Sequence, residues 1–167
     1  MGFLNGSVER GAAPPTPFAA PRAVGRPQAQ GPYGLSAFGR GMDFISAVHA
    51  HRVWKMELGK RLQLPSARTL DHRLIAQDRR SALGQWIHGE AQRQFGHLPS
   101  FEQLKAAHAL FHEAAGRLVQ LHRAGHPAEA DQLMRQGDYP RHSLKVMGLL
   151  GALHEEAARH AGTPARP

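Results

Sequence analysis

The chain has 167 residues, enough for one domain with a sizeable core, and its 21 basic and 13 acidic side chains give a formal charge of +8. It contains no cysteine, which excludes a disulfide framework, a thiolate metal ligand and thiol redox chemistry. There is no secretory h-region and no run of the ~20 apolar residues needed to cross a bilayer, so the expectation is a cytoplasmic protein with no membrane partner.

Residues 1–41 hold six of the twelve prolines and eight of the eighteen glycines, with no helical or strand period. Such a stretch has too little apolar side chain to offset the entropy of ordering and reads as a disordered tail. Met42, just before the first helical pattern, is a natural alternative start. The tail carries four arginines and one glutamate, and the remaining basic residues are spread along the predicted helices. Lys60–Arg61 and Arg79–Arg80 are basic pairs inside predicted helices, and no base-reading motif accompanies them, so no specific nucleic-acid partner is expected.

Beyond the tail, Pro65, Pro99, Pro127 and Pro140 delimit helices. The first is predicted over 43–63, with Asp43 as N-cap and Phe44, Val48, His51, Trp54, Leu58 and Leu62 recurring at steps of three and four. The second is predicted over 67–88, with Leu70, Leu74, Ile75, Ala82, Leu83 and Trp86 as its apolar positions. The third is the clearest: Ser100 caps it, Phe101, Leu104, His108, Phe111, Ala115 and Leu118 form its stripe, and Gly125 before Pro127 ends it. A short helix follows around Ala128–Met134, and a last one near 141–160 carries Leu144, Met147, Leu150, Leu153 and Ala157. Four main helices with short connections predict an all-α fold, an antiparallel four-helix bundle with a short extra helix over 42–160 and a disordered C-terminus at 161–167.

All twelve histidines fall after the tail. Most, including His49, His72, His88, His97, His122, His126, His142, His154 and His160, lie near loops or on polar faces and read as solvated imidazoles. His108 and His112 differ. Their i, i+4 spacing puts both rings on one face, about 6 Å apart at Cβ, and the neighbours Leu104, Phe111 and Ala115 turn that face inward. His51 lies on the inward stripe of the first helix. Buried imidazoles demand partners, and two arrangements answer that demand: a shared metal ion, or a polar core of hydrogen-bonded histidines. In the second helix Asp78 and Ser81 lie one turn apart, near the aligned positions Leu74 and Gln85. Asp78 offers a carboxylate as fourth ligand, whereas the Ser81 hydroxyl is a poor zinc ligand; otherwise water takes the fourth place. No HExxH pair, Gly-rich phosphate loop or nucleophile elbow points to an enzyme.

Three groups of residues resemble the chemoreceptor zinc-binding (CZB) domain family: His51-x-x-Trp54-Lys55; Asp78-x-x-Ser81-x-Leu83-Gly84-x-Trp86; and Phe101-x-x-Leu104-x-x-x-His108-x-x-Phe111-His112, followed by Gly125 and Ala130. Ser143 and Leu150 are similar to its sparse C-terminal pattern. The resemblance implies a helical sensor in which three histidines and one cysteine hold zinc and couple it to bacterial signalling of the chemotaxis or cyclic-di-GMP type. His51, His108 and His112 fall on the histidine positions and Ser81 on the cysteine, so the soft, oxidant-sensitive ligand is lost. Three outcomes stay open: zinc held by the histidines with water or Asp78, another divalent transition metal, or a degenerate bundle serving as a structural or protein-interaction module. A homodimer mate or a signalling protein is the expected partner. Gly84 and Trp86 are expected to serve helix packing rather than the metal.

Overall fold

The computed structural model describes residues 42–162. Helix α1, Phe44–Leu62, begins where the Asp43 carboxylate accepts a hydrogen bond from the Ser46 N–H at 2.7 Å. It buries Ala47, Ala50, His51, Trp54, Leu58 and Leu62. Met42, immediately before it, already belongs to the core.

The expected single helix over 67–88 is not there. The chain instead runs through a 3-10 turn at Pro65–Thr69, α2 at His72–Ile75, a second 3-10 turn at Asp78–Arg80, and α3 at Ala82–Trp86. A π turn at Ile87–Ala91 then leads into α4 at Gln92–Phe95. The cause is two N-caps within one apolar stretch. Asp71 accepts from the Arg73 N–H and starts α2, while Ser81, in an extended conformation, accepts from the Gly84 N–H and starts α3. Each cap satisfies orphan donors of a new helix, so the segment is a staircase of short turns rather than one rod.

Helix α5, Pro99–Arg123, spans the molecule and buries the expected stripe Phe101, Leu104, His108, Phe111, Ala115 and Leu118. Its cap differs from expectation. Leu98 is the N-cap and makes no side-chain cap bond, Pro99 occupies the first turn, and the Ser100 N–H donates to the Glu156 carboxylate of α7 at 3.2 Å. Gly125 ends the helix at φ 82°, a left-handed position that favours glycine. Helix α6 covers Pro127–Gln136 and α7 covers Asp138–Gly162, two residues beyond the expected end. Pro140 lies inside the first turn of α7, where its missing N–H leaves no bond unmade.

The described residues form an all-α bundle without strands, with α5 packed on α7, α2 and α6. Two aromatic groups stand in the core: Phe44 meets Trp86 edge-on at 5.7 Å in one, and in the other Trp54 meets Phe111 at 5.4 Å and Phe111 stacks on Tyr139 at 5.0 Å. No helix among the described residues is long and apolar enough to cross a membrane. The expected disordered tail and all but the first two residues of the expected disordered C-terminus lie outside the described residues.

Candidate metal centre

The polar side chains that the described core buries are His51, Ser81, His108, His112 and Ser143. Four of these five are residues singled out by pattern as ligands, so the polar content of the core is concentrated in one cluster. The rings of His108 and His112 lie 4.7 Å apart and those of His51 and His108 6.4 Å apart, centroid to centroid. Phe111 covers His51 at 4.5 Å, and Trp54 covers His112 at 4.5 Å.

Each ring meets a protein partner. His112 Nδ1 lies 2.8 Å from the Ile75 carbonyl oxygen. A carbonyl only accepts, so Nδ1 carries the proton and Nε2 is left as a bare lone pair. His51 Nε2 lies 3.0 Å from the Ser143 hydroxyl of α7. Burial pushes both rings down to about 3, so both are neutral near pH 7.

Ser81 is a junction. Its hydroxyl donates to the Asp78 carbonyl at 2.9 Å, accepts from the Gly84 N–H at 3.0 Å and faces His108 Nε2 at 3.4 Å. Gly84 is required by the same turn, because a Cβ there would stand 1.9 Å from the Asp78 carbonyl oxygen. The Ser81-x-Leu83-Gly84-x-Trp86 pattern is therefore the start of α3: a cap, a glycine under a carbonyl, and a buried tryptophan.

His108 is the under-bonded ring. The Ser81 proton goes to the Asp78 carbonyl, so bonding at Nε2 asks for an Nε2–H tautomer. That choice leaves Nδ1 bare, 3.8 Å from the Asp78 carboxylate, beyond hydrogen-bond distance. The opposite tautomer favours Asp78 and leaves Nε2 facing an already committed hydroxyl. Nδ1 is in fact a buried nitrogen without a hydrogen-bond partner. Burial lowers the affinity of this ring for a proton, opposed by Asp78.

Asp78 does not enter the cluster as a fourth ligand would. Its carboxylate pairs with His88 Nε2 at 2.6 Å and accepts from the Arg79 N–H at 2.8 Å. His108 beside it, then His88, hold its carboxyl well below the usual carboxylate range against the opposing effect of burial. His88 was expected to be a solvated ring and is instead mostly buried against Asp78. No periodicity could have found that pair, because ten residues and a helix break separate its members. Gln85, expected inward, is exposed. Ser143 carried a sequence signal only as part of the C-terminal resemblance, and its contact with His51 joins α7 to α1 across 92 positions.

Zinc sites need nitrogens about 2.0–2.1 Å from the ion and a full set of basic ligands. Among the described residues no group of three His, Cys, Asp or Glu side chains is arranged to hold a metal ion. The cysteine position carries a hydroxyl engaged in a helix cap, and the His51 ring is turned to Ser143. The donor set as folded does not fit zinc.

Residues 51–119 match the family model of the chemoreceptor zinc-binding domain, and this segment contains every expected ligand position. That family is one of non-catalytic sensory and regulatory domains. No curated protein and no solved structure matches the chain.

Proposed function

We propose that this chain, through residues 51–119 and the helices that close on them, is a degenerate relative of the chemoreceptor zinc-binding domain, a metal-independent protein-interaction module. The observation that carries this reading is the Ser81 hydroxyl, which sits where the family places a thiolate and is engaged three ways within the protein. The Ile75 carbonyl and the Ser143 hydroxyl give His112 and His51 partners within the protein, and Ser81 faces His108, whose Nδ1 stays unbonded, so the bundle closes without an ion. What remains of the sensor is its shape and its surface.

One observation favours a second reading, weak zinc capture by His51, His108 and His112. The His112 Nε2 lone pair is bare, and the Nδ1–H bonded to a backbone carbonyl is the outer-shell arrangement typical of metal-ligating histidine. The separation of Ser81 Oγ from His108 Nε2, 3.4 Å, is also that of neighbouring ligands on a tetrahedral ion.

Metal content by elemental mass spectrometry, followed by zinc titration of the melting temperature, separates the two readings. The expected result is no stoichiometric metal and no melting shift for the natural chain, with a zinc-dependent rise of Tm appearing in Ser81→Cys. One equivalent of metal in the natural chain, lost in His108→Ala, would sink the metal-independent reading.

A further inference from the structure

Deepening the reading of this chain as an interaction module, we propose that the seam between α1 and α7 docks an acidic amphipathic helix of a partner protein. Two of the five large hydrophobic residues exposed among the described residues line this seam, Ile45 and Met56 on α1, exposed by 80% and 51%. Two hollows follow one another along it. One, of about 230 Å³, lies between Ile45, Val48 and Gly151; the other, of about 730 Å³, lies between Val53, Met56 and Met147. Together they run from Phe44 to Met56, roughly 18 Å of helix at 1.5 Å per residue, the footprint of about three helical turns. On the α7 side Gly151, which lines the smaller hollow, has open space where a Cβ would stand, so a backbone can come close.

Charge selects the occupant. The larger hollow is lined by Arg52 and Lys55 and by no carboxylate. The N-terminal 41 residues do not complement it, having four arginines and one glutamate. A second copy would bring Arg52 and Lys55 against their own equivalents across a twofold axis, which like-charge repulsion opposes. Methionine and valine walls suit a helix laid in a groove, with carboxylates meeting the basic rim. A nucleic-acid strand would call instead for exposed aromatic platforms. Ser143, the buried residue bonded to His51, is among the residues around the larger hollow, so an occupant lies one side chain away from the histidine cluster.

The test uses the full chain and a fluorescent synthetic peptide of about 16 residues, leucine at i, i+3, i+4 and i+7 and glutamate elsewhere, with a lysine-for-glutamate counterpart. The expected result is saturable binding of the glutamate peptide that weakens with salt and by about tenfold in Arg52→Glu and in Met56→Asp, while Leu110→Asp on α5 leaves it unchanged. The His51 ring resonances should shift on binding. Failure of the glutamate peptide to bind, or equal binding of the lysine peptide, would overturn the proposal. So would affinity for polyuridylate or anionic vesicles alone, or a Met56-dependent dimer in sedimentation without peptide binding. Because the metal titration is independent of this assay, loss of the groove proposal would leave the metal-independent reading standing, and the reverse.

Discussion

At the residue scale, one atom decides what the cluster can be. In the proposed reading that atom is the oxygen at position 81, which serves as a helix cap. The Ser81 hydroxyl bridges the Asp78 carbonyl and the Gly84 N–H, with His108 Nε2 beyond it. Its removal in Ser81→Ala takes away the cap, about 1 kcal/mol, and leaves buried polar groups unbonded, about 1–3 kcal/mol. Urea unfolding should show a loss of roughly 2–4 kcal/mol; a change under about 0.5 kcal/mol would mean that the cap is idle, since surface substitutions stay within that range. The sequence made the identity of this cluster legible because inward histidines at helical spacing break an apolar stripe conspicuously. What it could not display is how the rings are satisfied. Ser143 and Ile75 reach His51 and His112 from 92 and 37 positions away, and His88 reaches Asp78 over a helix break. Such partners are set by tertiary packing, which no local period encodes.

At the element scale, the segment between α1 and α5 is where sequence reading and structure part. Its apolar spacing is compatible with one helix, and the period signal is blind to the caps at Asp71 and Ser81 that restart the chain twice. The long helices were legible because α5 keeps a single stripe from Phe101 to Leu118. The restart at Ser81 depends on Gly84, since an added Cβ would meet the Asp78 carbonyl oxygen at 1.9 Å. Gly84→Ala is therefore expected to destabilise by about 3 kcal/mol, the upper end of overpacking costs, although alanine is the better helix former. Thermal melts decide it; a neutral or stabilising effect would show that the turn can relax. The π turn at Ile87–Ala91 carries His88 to the Asp78 carboxylate. His88→Ala should loosen this staircase ahead of α5, seen as faster amide exchange over 78–91 with α5 unchanged.

At the scale of the whole molecule, the buried histidines make stability a function of pH. His51 and His112 fall from 6.5 to about 3 on folding because burial disfavours their charged forms. Between those values the unfolded chain binds protons that the folded chain does not, so stability is fully present above about pH 6.5 and is lost as pH falls toward 3. Asp78, held low, acts in the same direction at the acid end of that range. Chemical denaturation near neutrality and at about pH 5 should show a steep loss, shallower in His112→Gln. A flat profile would mean that the rings are solvated or already charged. The core is thus closed by neutral imidazoles and two serine hydroxyls.

The measurement that bears most directly on that claim is long-range nitrogen–proton NMR of the histidine rings at pH 7, recorded with and without equimolar zinc. The account predicts neutral rings for His51 and His112, the Nδ1–H tautomer for His112, and resonances that zinc leaves in place. A large zinc-dependent shift of the Nε2 resonances of His108 and His112 together would contradict it and restore the ion to the centre of the bundle.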